Sequence, residues 1–156
     1  MGDGQRSKPS VAGRGALLRR KWRAWRRYPA RDRRLILEAA LALGLARLAV
    51  AWLPFRWIAP WLRRRGDGPS ASDLPWRVGR AVRVASRHVP WRAVCLPQAL
   101  AAKAMLARRG CGAVFHLGAR HAAGGGIEAH AWLTCGDALV TGGDGLPGFT
   151  PLLRLG

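Results

Sequence analysis

The sequence predicts an α+β fold, with helices first and a small antiparallel sheet last. Three observations predict it. Up to Leu106, apolar residues recur at spacings of three and four, as in helices that bury one face. After Gly110 the period drops to two, as in half-buried strands. Breaker-rich stretches punctuate the segments, the clearest being Gly66 to Asp73.

Residues 1–28 form a basic arm. Its first 15 residues are rich in Gly, Ser and Arg and are expected to be disordered. From Ala16 to Tyr28, Trp22 and Trp25 would share a face of a basic amphipathic helix suited to a membrane surface or a partner. The plainer alternative is an exposed first helix packed by its tryptophans. Residues 29–65 form a helical region. Leu35 to Phe55 reads as one long apolar helix ended by Pro54, and Arg56 to Arg65 as a short one limited by Pro60. Glu38, Gly44 and Arg47 interrupt the long helix, which favours a core or interfacial helix over a spanning one. Residues 66–73 are read as a linker, and residues 74–156 as the catalytic region.

That region opens with an amphipathic helix, Leu74 to Val89. Val78, Ala81, Val82 and Ala85 make its apolar stripe, and Arg77, Arg80, Arg83 and Arg87 face outward. Pro90 to Val94 leads into a helix that begins at Cys95. Pro97 suits its first turn, and Gly110 is a C-cap signal. Strands are expected at Ala113–Gly118, Glu128–Cys135 and Ala138–Thr141, with a short last one starting at Phe149. A Gly-rich turn, His121 to Gly126, and the hairpin signal Gly136-Asp137 join them.

The chain has 156 residues, 49% of them apolar, which is one domain's worth with ample material for a core. Lys and Arg number 27 against 8 Asp and Glu, a net charge of +19. That balance invites a nucleic-acid reading. However, twelve of the 27 fall within residues 1–34, and no zinc-finger or RNA-recognition pattern is present. No nucleic-acid partner is therefore expected. Three cysteines without motif spacing argue against a disulfide framework and fit a reducing cytoplasm. The leading arm lacks the form of a signal peptide, because its first long apolar run begins only at Leu35. A cytoplasmic protein, with peripheral contact to the inner membrane face left open, is the expectation.

Cys95 sits where the positive end of a helix dipole favours thiolate, the nucleophilic form. A buried, inert thiol is the plain alternative. A thiol nucleophile needs a base, and histidine serves best near neutral pH. His130 lies between two alanines that leave room for a partner, and Trp132 shares its strand face. A merely structural strand histidine is the alternative. His88 and His121 are expected in solvent, and the role of His116 depends on which face of its strand it takes. A third group should fix the imidazole tautomer. The returning strand favours Asp144, or a backbone carbonyl at Gly142–Gly143, beside His130. Asp137 is second choice, since it lies at the far end of the hairpin. Metal-ligand spacing and a phosphate-cradling loop are both absent, so neither metal nor cofactor is expected.

The succession Pro90-Trp91-Arg92, Cys95-Leu96-Pro97-Gln98-Ala99-Leu100-Ala101, Arg108-Arg109-Gly110, His116-Leu117-Gly118, Ala129-His130-Ala131-Trp132, Val140-Thr141-Gly142-Gly143 and Phe149-Thr150-Pro151-Leu152 resembles the leader peptidases of lasso peptide biosynthesis. The order and spacing carry this resemblance, over residues 74–155. These proteins look like compact members of the transglutaminase-like, papain-like cysteine protease superfamily. The resemblance implies a transglutaminase-like core with a nucleophile helix packed on the sheet. It implies that Cys95 attacks the scissile carbonyl and His130 serves as base and then acid. It implies a ribosomally made precursor peptide as substrate. A separate leader-recognition protein and an ATP-dependent lasso cyclase would be partners, because no winged-helix-like pattern precedes the linker. Where the superfamily usually has an Asp, the chain reads Thr141-Gly142-Gly143, so Asp144 would be displaced by two. The Cys95 N–H with Gln98 or Trp91 would form the oxyanion hole. The contrasting reading is a basic, non-enzymatic module that binds membrane or nucleic acid.

Overall fold

The structure, a computed structural model, describes residues 28–64, 73–143 and 146–156. The basic arm through residue 27, most of the linker and Asp144 lie outside the described residues. The chain divides into two compact units, Met1–Arg33 and Arg34–Gly156. The second unit holds the sheet, the helices packed on it and both Cys95 and His130.

Four helices precede four strands among the described residues, the α+β order expected from the periods. They are α1 (Ala30–Trp52), α2 (Phe55–Leu62), α3 (Leu74–Ser86), α4 (Cys95–Ala107), β1 (Val114–His121), β2 (Ile127–Cys135), β3 (Ala138–Thr141) and β4 (Thr150–Leu155). The strands form one antiparallel sheet in the order β3-β2-β1-β4. α4 packs on β2 and β3, and α3 packs beside α4 and against β3. Between them lie the fully buried Phe115, Met105, Leu106, Leu133, Val78 and Val82. Burying each side chain of this size contributes roughly 1.5–3 kcal/mol.

α4 carries buried residues around its whole circumference, including Lys103, whose ammonium donates to the Ala113 carbonyl at 2.5 Å. A helix apolar all round must be covered on both sides. The sheet covers one side, and α1 and α2 flank the other. Glu38 of α1 takes two hydrogen bonds from the Arg109 guanidinium, at 2.6 and 3.0 Å, just beyond the end of α4. The unit Arg34–Gly156 includes the stretch 66–73. The Arg109 bonds hold the Glu38 carboxyl below its ordinary range, against the opposing effect of burial. Its folded pKa lies below the unfolded one, so its stabilisation is present above about 4.5 and lost as pH falls through the folded value. Glu38→Gln is expected to cost about 1 kcal/mol in urea unfolding at pH 7, and less at pH 3.5.

Several boundaries differ from the sequence reading for local reasons. α1 stops at Trp52, not Phe55, because Pro54 drives the residue before it out of helical conformation. α3 stops at Ser86, not Val89, ahead of Pro90. β1 continues through His121, which was expected in the turn. Gly125 and Gly126, at φ +87° and +92°, tighten the reversal so that Ala119 to His121 can pair with Ile127 to Ala129. β4 runs on to Leu155 and includes Pro151, which the edge of a sheet tolerates.

α1 also keeps an apolar face that nothing in the unit covers. Leu37, Leu41, Leu45, Leu48 and Trp52 are all exposed, at spacings of three and four that place them on one stripe. By length and composition alone the helix could cross a membrane, yet Leu35, Ile36, Ala39, Leu43 and Ala46 on its other side are buried within the protein. An apolar groove of about 360 Å³ lies between α1, α2 and α4, lined by Leu41, Leu45, Leu53, Trp57 and Met105.

Candidate active site

Cys95 is the first residue of α4. Val94 before it is extended, and the first helical bond runs from the Gln98 N–H to the Val94 carbonyl at 3.3 Å. The amides of Cys95 and Leu96 therefore have no acceptor within the helix, and Pro97 has no N–H at all. The Gln98 side chain donates to the Ala93 carbonyl at 2.7 Å and so fixes the entry loop two residues before the thiol. Its amide keeps a second hydrogen.

His130 lies on β2, half-buried, and faces the same pocket as Cys95. This pocket has a volume of about 260 Å³ and also takes in Gln98, Thr141 and Gly142. The larger apolar groove lies elsewhere and holds neither Cys95 nor His130. Just after β3, Gly142 adopts φ +82°, and its carbonyl lies 2.9 Å from Nε2 of His130. A carbonyl oxygen only accepts, so Nε2 must carry the ring hydrogen. Nδ1 is then left with the lone pair of the neutral ring.

Aromatic rings hold the imidazole from the sides. Phe149 stands 5.1 Å from it and Trp132 6.2 Å. Trp132 in turn stacks flat on His116 at 5.2 Å. Gly118, directly across the ladder from His130, makes this possible: a Cβ there would lie 2.9 Å from the Trp132 ring and 2.8 Å from the Thr150 carbonyl. Arg120 lies over Phe149 at 4.4 Å and pairs with Glu128 at 2.9 Å. Sequence reasoning placed Trp132 beside His130 but gave Gly118 and Phe149 no role at the site. Their spacing carries no chemical signal, and only the register brings them to His130.

His116 is a supporting residue. Its Nε2 lies 3.0 Å from the Thr134 hydroxyl, and burial, with Arg154 nearby, pushes its pKa below the ordinary 6.5. Its folded pKa is thus below the unfolded one. Its contribution is intact above 6.5 and lost as pH falls through the folded value. Thermal stability is expected to fall below pH 6.5, and the fall should be shallower in His116→Phe, measured by melting curves between pH 5 and 8.

The other expected residues fall as follows. Asp137 is exposed in the β2–β3 turn, at the far end of the hairpin from His130. Asp144 lies outside the described residues, and the observed partner of His130 Nε2 is the Gly142 carbonyl, the alternative the sequence left open. Trp91 does not line the pocket. It lies against α1, 3.4 Å from where a Cβ on Gly44 would stand, which leaves Gln98 as the side-chain candidate for an oxyanion donor. His88 is exposed, with Nδ1 2.8 Å from the Val84 carbonyl. Cys111 and Cys135 are buried outside the pocket, and Cys135 Sγ donates to the Gly112 carbonyl at 2.9 Å. Among the described residues no three His, Cys, Asp or Glu side chains gather as a metal site would require.

A thiol at a helix N-terminus, packed on an antiparallel sheet whose second strand carries a histidine with a fixed tautomer, defines the class: an α+β domain suited to thiol chemistry at a carbonyl. The chain matches the family model of the transglutaminase-like superfamily over residues 39–154 and belongs to that superfamily. Cys–His–Asp sites for thiol proteolysis or transglutamination are typical of it. The match begins within α1, so the helices before the linker are part of the family's domain. No curated protein and no solved structure matches the chain.

Proposed function

We propose that the protein is a cysteine endopeptidase that removes the leader from a ribosomally made lasso precursor peptide. The observation that carries this reading is the bond from His130 Nε2 to the Gly142 carbonyl, beside a thiol in the same pocket. In this mechanism Nδ1 of His130 takes the Cys95 proton. The thiolate adds to the scissile carbonyl, and the Cys95 N–H with the free Gln98 hydrogen receives the oxyanion. The C–N bond breaks as His130 returns the proton to the leaving amine. Water, activated by the same imidazole, then hydrolyses the thioester. A separate leader-recognition protein and a lasso cyclase would be its partners. The exposed stripe of α1 is the surface on which this reading seats the recognition protein, since a contiguous apolar face of this size is uncommon without a partner. The cytoplasm is its proposed location.

The superfamily match also favours acyl transfer as a second reading, in which an amine replaces water at the thioester. Mass spectrometry of the precursor incubated with the protein and its recognition partner separates the two. Peptidase activity releases the leader mass, whereas transfer leaves a cross-link lighter by one ammonia. Precursor left unchanged by wild type would overturn both.

A further inference from the structure

We infer that Arg83 and Arg87 form a carboxylate-binding wall in the Cys95–His130 pocket, and that the peptide taken there presents an acidic side chain next to the bond that is cut. The acidic side chain rests on the peptidase reading. The wall rests on the pocket alone.

α3 comes unusually close to the sheet at Gly79. A Cβ at that position would overlap the Val140 carbonyl of β3, so only glycine allows the approach. Gly79, Arg83 and Arg87 follow one another at four-residue steps along one face of the helix and its C-cap. The contact at Gly79 thus sets the next two turns over the pocket, and Arg83 and Arg87 line it together with Cys95 and His130. The other arginines of α3 are engaged elsewhere. Arg77 pairs with Asp73 at 3.8 Å, and Arg80 lies over Trp76 at 5.6 Å. Among the described residues no carboxylate pairs with Arg83 or Arg87, and none lines the pocket.

The negative end of the α3 dipole accounts for cations near its C-terminus. It does not account for two of them lining the same pocket as a thiol. Like charges four residues apart oppose each other, and an anion between them would relieve this. Thr141, which lines the same pocket, adds a second observation. Thr141 is only 6% exposed, and its Oγ1 has no hydrogen-bond partner. A buried hydroxyl without a partner costs roughly 1–3 kcal/mol, and it stands here in the wall of the cationic pocket. Two guanidinium forks and a hydroxyl donor match the acceptor-only chemistry of a carboxylate.

The test uses Cys95 itself as the reporter. Its alkylation by iodoacetate and by iodoacetamide is followed peptide by peptide at low salt, in wild type and in Arg83→Gln/Arg87→Gln. The iodoacetate-to-iodoacetamide rate ratio is expected to fall several-fold in the double variant, on the order of 3–10, and added salt should lower the wild-type ratio. The neutral reagent supplies the reference that the ratio divides out, and an unchanged melting curve verifies that the fold is intact. A ratio that does not change overturns the wall. This readout needs no cleavage, so it stands or falls apart from the peptidase reading. A precursor whose acidic residues beside the scissile bond are changed to Asn or Gln should be cut more slowly, while amidating its C-terminus should change nothing. The reverse pattern would assign the wall to a terminal carboxylate and overturn the side-chain assignment.

Discussion

Cys95→Ala is expected to abolish leader release while leaving the fold intact. Removing the nucleophile of a Cys–His pair takes away the covalent step, and losses on the order of 10⁶-fold in kcat are the scale for such deletions. The residual rate should come from binding and oxyanion contacts alone. Cys95 is half-buried at the first position of α4, and alanine suits a helix, so the stability change should stay within about 1 kcal/mol. His130→Ala should reduce turnover to a similar level, because thiol and imidazole act as one unit. The double variant should then be no worse than either single one. His130→Ala also removes the bond to Gly142 and the contacts with Phe149 and Trp132, so it should cost about 1–2 kcal/mol in unfolding, which Cys95→Ala should not. Mass spectrometry of the precursor, with urea unfolding in parallel, reads both. Leader release by Cys95→Ala would remove the nucleophile assignment. Cleavage by His130→Ala at a rate near wild type would remove the base.

Much of this site could be read from the residues because it depends on local signals. Pro97, the good helix formers after it and Gly110 mark where α4 begins and ends, and so place Cys95 at its N-terminus. The two-residue period around His130 and the Gly136-Asp137 turn make the hairpin legible, and with it the return of residues 141–143 to His130. What could not be read depends on register and on close approach. A backbone acceptor has no side-chain signature, so the sequence favours the carboxylate of Asp144 over the carbonyl of Gly142. Gly79 and Gly118 are silent in sequence, because what matters is the atom a Cβ would strike. The outward face assigned to the α3 arginines was legible only in part: Arg83 and Arg87 are exposed, as the helix period requires, but they are exposed into the pocket.

Gly142→Ala should be the most damaging single substitution outside the Cys–His pair. Two costs combine at this position. The backbone lies at φ +82°, where a side chain is strained by roughly 1–3 kcal/mol. A Cβ would also stand 2.6 Å from Cβ of Trp132 and 2.7 Å from the Ala131 carbonyl. Neither neighbour can swing aside, since both belong to the central strand β2. The loop must therefore move, and the carbonyl that orients His130 moves with it. In a catalytic triad, replacing the group that fixes the imidazole tautomer costs about 10⁴-fold. A displaced carbonyl should cost somewhat less, on the order of 10²–10³-fold in kcat with KM little changed, because substrate contacts remain. Gly110→Ala supplies the control for backbone strain. Gly110 has a similar φ, +72°, but a Cβ there meets nothing within 4 Å. It should lower stability by about 1 kcal/mol and leave turnover alone. Gly143→Ala controls for the loop. A Cβ there meets the flexible Leu139 side chain at 3.0 Å, which can yield. If Gly142→Ala turned over as fast as these two controls, the Gly142 carbonyl would lose its role, and a side-chain acid would have to supply the third group.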